Sequence, residues 1–367
     1  MTTLFDRLLE RVWDARGSDI HLGVGASPRL RVEGFLWPVS DEPDVRASDI
    51  EAIYDELLDD AHRMRMHEVG DVDVAVPWLD RARLRVSAYR RYGHPALAIR
   101  ILPNGIPTLD EVGLPQIVRE RTIEGLRGLV IFTGATGAGK STTQASVVDA
   151  INASRPCHIM TIEDPIEFVH ESHKAFVSQR EVGTDTVSFA QALRSALRED
   201  PDVVLVGELR DTESMQIALT LAETGHLVLA SLHTSDASQV FDRILDAMPD
   251  GAKNQTRAQL AASLTAVVAQ RLVPKIDGGR VAAYEVLTAT TAVRNTIREA
   301  RFNQLPRLIA AGGDEGMNTL DKYLADLVVS KTVSVASALT HATDQDELSG
   351  DLERRAALGL YEPEIVA

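Results

Sequence analysis

Along this chain of 367 residues the spacing of apolar positions changes character about a third of the way in. Leu4, Phe5, Leu8, Leu9 and Val12 recur at helical spacing and predict an amphipathic first helix. Alternation takes over in "DVDVAV", with Val72, Val74 and Val76, and in "ARLRVSAY", with Ala82, Leu84, Val86 and Ala88. That is the pattern of half-buried strands; "LDRA" between them predicts an antiparallel hairpin, and "ALAIRIL" continues the series. Ser48 to His67 reads as helical. Then "PNGIPTLDEVGLP", Pro103 to Pro115, packs three prolines and two glycines into thirteen residues. Such a run sustains neither a helix nor a central strand, so residues 104–115 read as a linker between domains.

Beyond the linker, strands and helices alternate. "GLVIFTG", "HIMTIED", "DVVLVGE" and "HLVLASLHT" are continuous apolar runs, as expected when both faces of a parallel sheet are covered. "SFAQALRSALRED" opens on a capping box, Ser188 to Gln191, and its stripe is Phe189, Ala192, Leu193, Ala196 and Leu197, with Pro201 to end it. "DTESMQIALTLAETG" reads as a helix closed by Gly225. This alternation predicts a parallel α/β domain with its ligand site at the carboxyl ends of the strands. From about Asn254 the chain reads as a helical remainder, one stripe being Leu320, Tyr323, Leu324, Leu327 and Val328. The plan is thus a first domain over 1–103, a linker over 104–115 and a second domain over 116–367.

Composition narrows the class. Apolar residues make up 44% and charged residues 25%, ordinary for a soluble globular protein. Lys and Arg number 38 against 54 Asp and Glu, a formal charge of −16, which argues against bulk nucleic-acid binding. The one cysteine, Cys157, allows neither a disulfide framework nor a Cys-based zinc site within the chain, and reads as a small apolar residue beside a strand. The start, "MTTLFDRLLERVWDARG", has acids throughout and no long apolar core, unlike a signal peptide. No apolar run reaches the ~18 residues of a membrane span, so membrane association is expected only through a partner.

The sharpest chemistry is "GATGAGKS", Gly134 to Ser141, which follows a strand and opens a helix. Glycines let backbone N–H groups close around a phosphate chain, and the helix N-terminus adds partial positive charge. Lys140 can reach the β and γ phosphates and Ser141 can ligate Mg²⁺, so the expected ligand is a nucleoside triphosphate. "TIEDPIEF" crowds Glu163, Asp164 and Glu167 around a proline at the end of the next strand. Hydrolysis needs one carboxylate to orient or deprotonate water and another for the metal or its water shell. Glu208, at the end of "DVVLVGE", is a fourth candidate, and the residues alone do not rank the four. His226 and His233 bracket the following strand, seven residues apart, so they face opposite sides unless the strand ends early. They are candidates for sensing the nucleotide.

Taken together these segments resemble the secretion ATPases of type II secretion and type IV pilus machines, over nearly the whole chain and in the family's order. "SDIHLGVGASPRLRVEG", Ser18 to Gly34, looks like the opening of that family's N-terminal PAS-like domain. The Walker A loop, the acidic "TIEDPIEF" box, "REVGTDTVSF", the Walker B region "ALREDPDVVLVGELRD" and the His box "ETGHLVLASLHT" follow. "AVRNTIRE", Ala292 to Glu299, is similar to the "AIRNLIRE" signature of the retraction subfamily, with Thr296 where that pattern has an apolar residue.

The resemblance implies an N-terminal PAS-like α/β domain, a flexible linker and a C-terminal RecA-like P-loop ATPase domain, assembled as a ring hexamer. It implies ATP and Mg²⁺ as ligands, with Gly134, Ala135, Thr136, Gly137, Ala138, Gly139, Lys140, Ser141 and Thr142 around the nucleotide. Ser141 and Glu208 would act on the metal, the latter partly through water. By position, Glu167 matches the general base, Glu163 and Asp164 the rest of the acidic box, and His226 and His233 the His-box pair. Arg85 and Arg100 match the arginines that clamp the γ-phosphate. The function implied is a cytoplasmic motor at the inner face of the membrane that drives type IV pilus retraction, docked on a PilC-like inner-membrane platform protein. The alternatives are an assembly or type II secretion ATPase of the same family and the accessory retraction paralogue. The missing tetracysteine site and long preceding domain argue against the first of these. Outside the motor class stand a nucleotide-gated binding module with little turnover and a nucleic-acid translocase; the −16 charge speaks against the latter.

Overall fold

The computed structural model describes residues 3–32, 34–103 and 105–361. By contacts the chain forms two compact units, Met1–Gly105 with Pro165–Val169, and Ile106–Asp164 with His170–Ala367.

The alternation seen in the first hundred residues becomes one antiparallel sheet. Its strands are β1 (Asp19–Gly23), β2 (Arg29–Val32), β3 (Phe35–Pro38), β4 (Asp71–Trp78), β5 (Ala82–Arg91) and β6 (His94–Pro103), in the order β3-β2-β1-β6-β5-β4. Val72, Val74, Ala82, Leu84, Val86 and Ala88 face a core closed by helix Leu4–Asp14, which buries Phe5, Leu8, Leu9 and Val12. The opposite face of the central strands is polar and carries Asp19, Arg31, Arg85 and Arg100 as cross-strand neighbours. The helical stretch expected over Ser48–His67 is helical, as two helices, Ala47–Leu57 and Asp60–Glu68. Leu58 is extended, and the Asp59 side chain accepts from His62 N to start a new helix, a local cap that outweighs continuation.

The second unit holds β7 (Gly128–Thr133), β8 (His158–Glu163), β9 (Phe176–Glu181), β10 (Val203–Val206), β11 (Leu227–Leu232), β12 (Leu264–Pro274) and β13 (Arg280–Thr288). Their order is β13-β12-β7-β11-β10-β8-β9, parallel except for the antiparallel β12–β13 pair. Strands β7, β10 and β11 are buried along their length, with β7 sending Leu129 and Ile131 into one core and Val130 and Phe132 into another. Both faces are covered, which is why these strands lack alternation. Ser188 caps helix Phe189–Ala196 as expected, although Leu197 lies beyond its end and is 46% exposed.

Two further expectations need correction. The chain beyond Asn254 is not wholly helical: helix Lys253–Ser263 leads into the hairpin β12–β13 before helices resume at Thr291. Strand β12 extends the parallel sheet beside β7, so its apolar run is buried on both sides and carries no strand period. The expected linker is largely pinned. Its first residue, Asn104, lies outside the described residues, but Leu109, Val112 and Leu114 pack into the second unit's core. Arg119 Nε donates to Leu114 O at 2.7 Å, and its Nη2 donates to Leu109 O at 2.9 Å. No helix among the described residues is long and apolar enough to cross a membrane.

Candidate functional site

Gly134 follows β7 with φ +145° and helix Lys140–Ser154 begins six residues later, so the loop turns sharply at the carboxyl edge of the parallel strands. A Cβ on Gly134 would sit 2.4 Å from the Gln270 carbonyl oxygen, and Gly137 and Gly139 hold φ of +80° and +88°. Only glycine accommodates the first position, and the others hold φ values that favour it. Gly139 is the N-cap, with no side-chain cap on the helix's first turn. Backbone N–H groups at such an end lack helical carbonyl partners and suit an anion. The loop tip, Ala135 to Gly137, is exposed, while Ala138 and Lys140 are buried.

Lys140 Nζ donates to Gly134 O at 2.8 Å and Ala135 O at 3.1 Å, and lies 3.3 Å from His233 Nδ1. An ammonium has only protons to give, so Nδ1 is the acceptor and Nε2 carries the imidazole proton. That Nε2 lies 3.2 Å from Glu208 Oε1. Lys140, His233 and Glu208 therefore form a continuous relay at the mouth of the loop. Glu208 also accepts from Arg210 Nε at 2.8 Å, and Arg210 Nη1 reaches Asp164 Oδ2 at 3.3 Å. Arg210 thus ties together the acids that follow β8 and β10. Sequence reasoning passed over it, although an arginine two residues beyond Glu208 was a readable signal.

The crowded acids of "TIEDPIEF" each find a different partner. Glu163 Oε1 accepts from Thr161 Oγ1 at 2.7 Å and Gln179 Nε2 at 3.3 Å, and Asp164 has Arg210. The chain then departs, and Pro165–Val169 packs with the first unit, where Glu167 Oε1 accepts from Arg85 Nη1 at 3.2 Å. Arg85 and Arg100 stand opposite one another on β5 and β6. Arg100 Nε donates to Asp19 Oδ1 at 2.8 Å, and that carboxylate is nearly buried and also lies 3.5 Å from Arg31 Nε.

His226 is not brought to the relay. It precedes β11, at the end of the strand opposite His233, and its Nδ1 lies 2.9 Å from Leu221 O at the end of helix Thr212–Glu223. Ser141 is exposed in the first turn after the glycine loop, adjoining Lys140. Among the described residues no group of three or more His, Cys, Asp or Glu forms a metal cage. A hydroxyl and a single carboxylate fit an ion such as Mg²⁺, which keeps waters and takes most of its remaining ligands from substrate phosphates.

The "AVRNTIRE" segment forms helix Thr291–Arg298. Arg294 donates to Ala289 O, Ala261 O, Ala262 O and Leu264 O, closing the end of helix Lys253–Ser263. Thr296 is buried and satisfies its hydroxyl by donating to Ala292 O at 2.9 Å, so a polar residue fits an apolar place.

A glycine loop between strand and helix, a buried lysine folded onto it and carboxylates gathered on the neighbouring strand ends define a mixed α/β protein built to hold a phosphate chain. The family model described as Type II/IV secretion system protein matches residues 1–301, and the chain belongs to that family. It is 43% identical over 321 residues to the "Type IV pilus retractation ATPase PilT" of Pseudomonas aeruginosa, covering 88% of this chain and 93% of that protein. It is 42% identical over 324 residues to the "Twitching motility protein" of Neisseria gonorrhoeae, covering 88% and 86%. A crystal structure of the pilus retraction motor PilT with bound ADP superposes with a TM-score of 0.84 at 40% identity, covering 95% of this chain and all of that one.

Proposed function

We propose that this protein is an ATP-hydrolysing motor that powers retraction of a type IV pilus by driving pilin depolymerisation. The reading rests chiefly on the Lys140–His233–Glu208 relay at the mouth of the glycine loop, with links of 3.3 and 3.2 Å, in a chain 43% identical to a protein named as a pilus retraction ATPase. In this reading the first unit is PAS-like, the second is a RecA-like P-loop domain, and six copies form a ring.

The residues divide the work as follows. Backbone N–H groups from Gly134 to Thr142 take the phosphates of ATP, and Lys140 exchanges Gly134 O and Ala135 O for phosphate oxygens. Ser141 and Glu208 would hold Mg²⁺, Glu208 partly through water, and the ion supplies charge neutralisation at the phosphate oxygens. Glu167 accepts a proton from the attacking water as its oxygen bonds to the γ-phosphorus and the bond to the bridging oxygen breaks, leaving ADP and phosphate. Glu163, at the end of β8, is assigned with Asp164 to the acidic edge of the nucleotide site. Arg85 and Arg100, which now hold Glu167 and Asp19, turn to the charge that builds on the transferred phosphoryl group. His233 loses its lysine partner when phosphate arrives and so reports occupancy to Glu208. His226, remote from Lys140 within the chain, is assigned to relaying that state at the other end of β11.

The motor would work at the inner face of the cytoplasmic membrane, docked on a PilC-like platform protein, with no direct nucleic-acid contact. A deletion strain tests the direction of work. Cells should keep surface pili and lose twitching motility; bald cells would assign the protein to assembly instead.

A further inference from the structure

Three buried polar side chains lie beneath the phosphate loop and take no part in the chemistry above. Gln270 on β12 is 2% exposed and abuts both ends of the loop. Its main-chain carbonyl oxygen is the atom that excludes a Cβ at Gly134, and its side-chain Nε2 lies 2.9 Å from where a Cβ on Gly139 would stand. Thr143, one turn into the loop's helix and 1% exposed, donates to Gln270 Oε1 at 3.0 Å. Tyr284 on β13 is fully buried, and its hydroxyl lies 3.4 Å from Thr143 Oγ1 and donates to Val112 O at 2.8 Å. The next carbonyl, Gly113 O, accepts from Tyr323 at 2.9 Å, and the two rings meet edge to face at 5.6 Å.

Burial pushes the Tyr284 phenol well above its ordinary range, so it stays a donor at every working pH. Its proton is committed to Val112 O, and the Thr143 proton to Gln270. A shift of residues 108–114 would free the phenol proton to turn toward Thr143 Oγ1, which then accepts from Tyr284 while it donates to Gln270 Oε1, tying the Gln270 amide beside Gly139 to Tyr284. Buried groups of this kind hold few alternatives, so a change at one end must be answered at the other.

We propose that Tyr284, through Thr143 and Gln270, is a positioning residue that sets the phosphate loop according to the placement of residues 108–114, which follow the boundary between the two units at Gly105. The proposal rests on the nucleotide site described above. Tyr323 provides the comparison, since it holds the same segment at the adjacent carbonyl without touching Thr143.

The experiment uses the full chain, with ATP turnover and ADP affinity measured for Tyr284→Phe, Tyr323→Phe, Thr143→Val and Thr143→Ser, and melting temperature alongside. Tyr284→Phe and Thr143→Val should each raise KM for ATP and Kd for ADP by about two- to tenfold with kcat held within twofold, as expected for one lost hydrogen bond acting on binding. Combining them should add little to either alone. Thr143→Ser should recover most of the affinity, and Tyr323→Phe, which loosens Gly113 but leaves the contact with Thr143, should raise KM less than Tyr284→Phe does. Equal KM changes in the two tyrosine variants, or none in Tyr284→Phe, would overturn the proposal; should Tyr284→Phe not fold, an unchanged KM in Thr143→Val does so. Wild-type protein that turns over no ATP would instead overturn the assigned function, independently of these comparisons.

Discussion

Glu167 and Glu208 show how environment separates carboxylates that look alike in sequence. Glu208 is bound by His233 and Arg210 beside the glycine loop, whereas Glu167, among the described residues, pairs with Arg85 and stands on the segment that leaves the second unit. A general base must be able to release its present partner when substrate arrives, and a single guanidinium contact between partly exposed side chains is a weak tie. Glu167→Gln should therefore bind ATP within a few-fold of wild type and lose turnover by about 10²–10⁴, the usual worth of a positioned base. Arg85→Ala should share that split, binding ATP and hydrolysing it poorly. Turnover measured against binding of a slowly cleaved analogue checks both, and normal hydrolysis in Glu167→Gln would return the role to Glu163 or Glu208.

Among elements, those with a clean period were legible and those without one were not. The alternating apolar residues of β4 and β5 and the apolar runs of β7, β8, β10 and β11 could be read directly, as could the loop that Gly134 and Lys140 define. The hairpin β12–β13 was missed because "LTAVVAQRLVP" is buried on both faces beside β7 and shows neither strand nor helix period. Its only local signals are the valines and the turn at Gly278 and Gly279, both at positive φ. Gln270 and Tyr284 ride on those strands, so the support beneath the phosphate loop was lost with them. His226 was grouped with His233 because a strand brings seven-residue neighbours close in sequence while setting them at its opposite ends. The "AVRNTIRE" helix shows that a motif residue can serve the fold: Arg294 satisfies carbonyls at the end of helix Lys253–Ser263 and the start of β12. Arg294→Ala should cost about 2–3 kcal/mol in chemical denaturation, since charge-assisted bonds are lost and partly buried carbonyls are left bare. Arg294→Lys should not restore it, because an ammonium lacks the planar fork. A cost under about 0.5 kcal/mol, in the range of ordinary surface changes, would mean that water replaces the arginine.

For the whole molecule, 54 carboxylates stand against 38 cations, and Arg210, Arg85 and Arg100 are already paired with acids. They hold Asp164 with Glu208, Glu167 and Asp19 respectively. A triphosphate brings further negative charge, so binding must redistribute these pairs, which is how occupancy becomes motion in the proposed motor. Sedimentation with Mg²⁺ and nucleotide should give six times the 40.0 kDa chain; a monomer under those conditions would contradict the ring. The most direct test of the central claim is phosphate release from ATP by the purified protein, with Lys140→Ala alongside. Mg²⁺-dependent release by wild type, abolished in the variant, is the expected result. Release that persists unchanged in Lys140→Ala, or none from wild type, would contradict the assignment of the glycine loop as the site of hydrolysis.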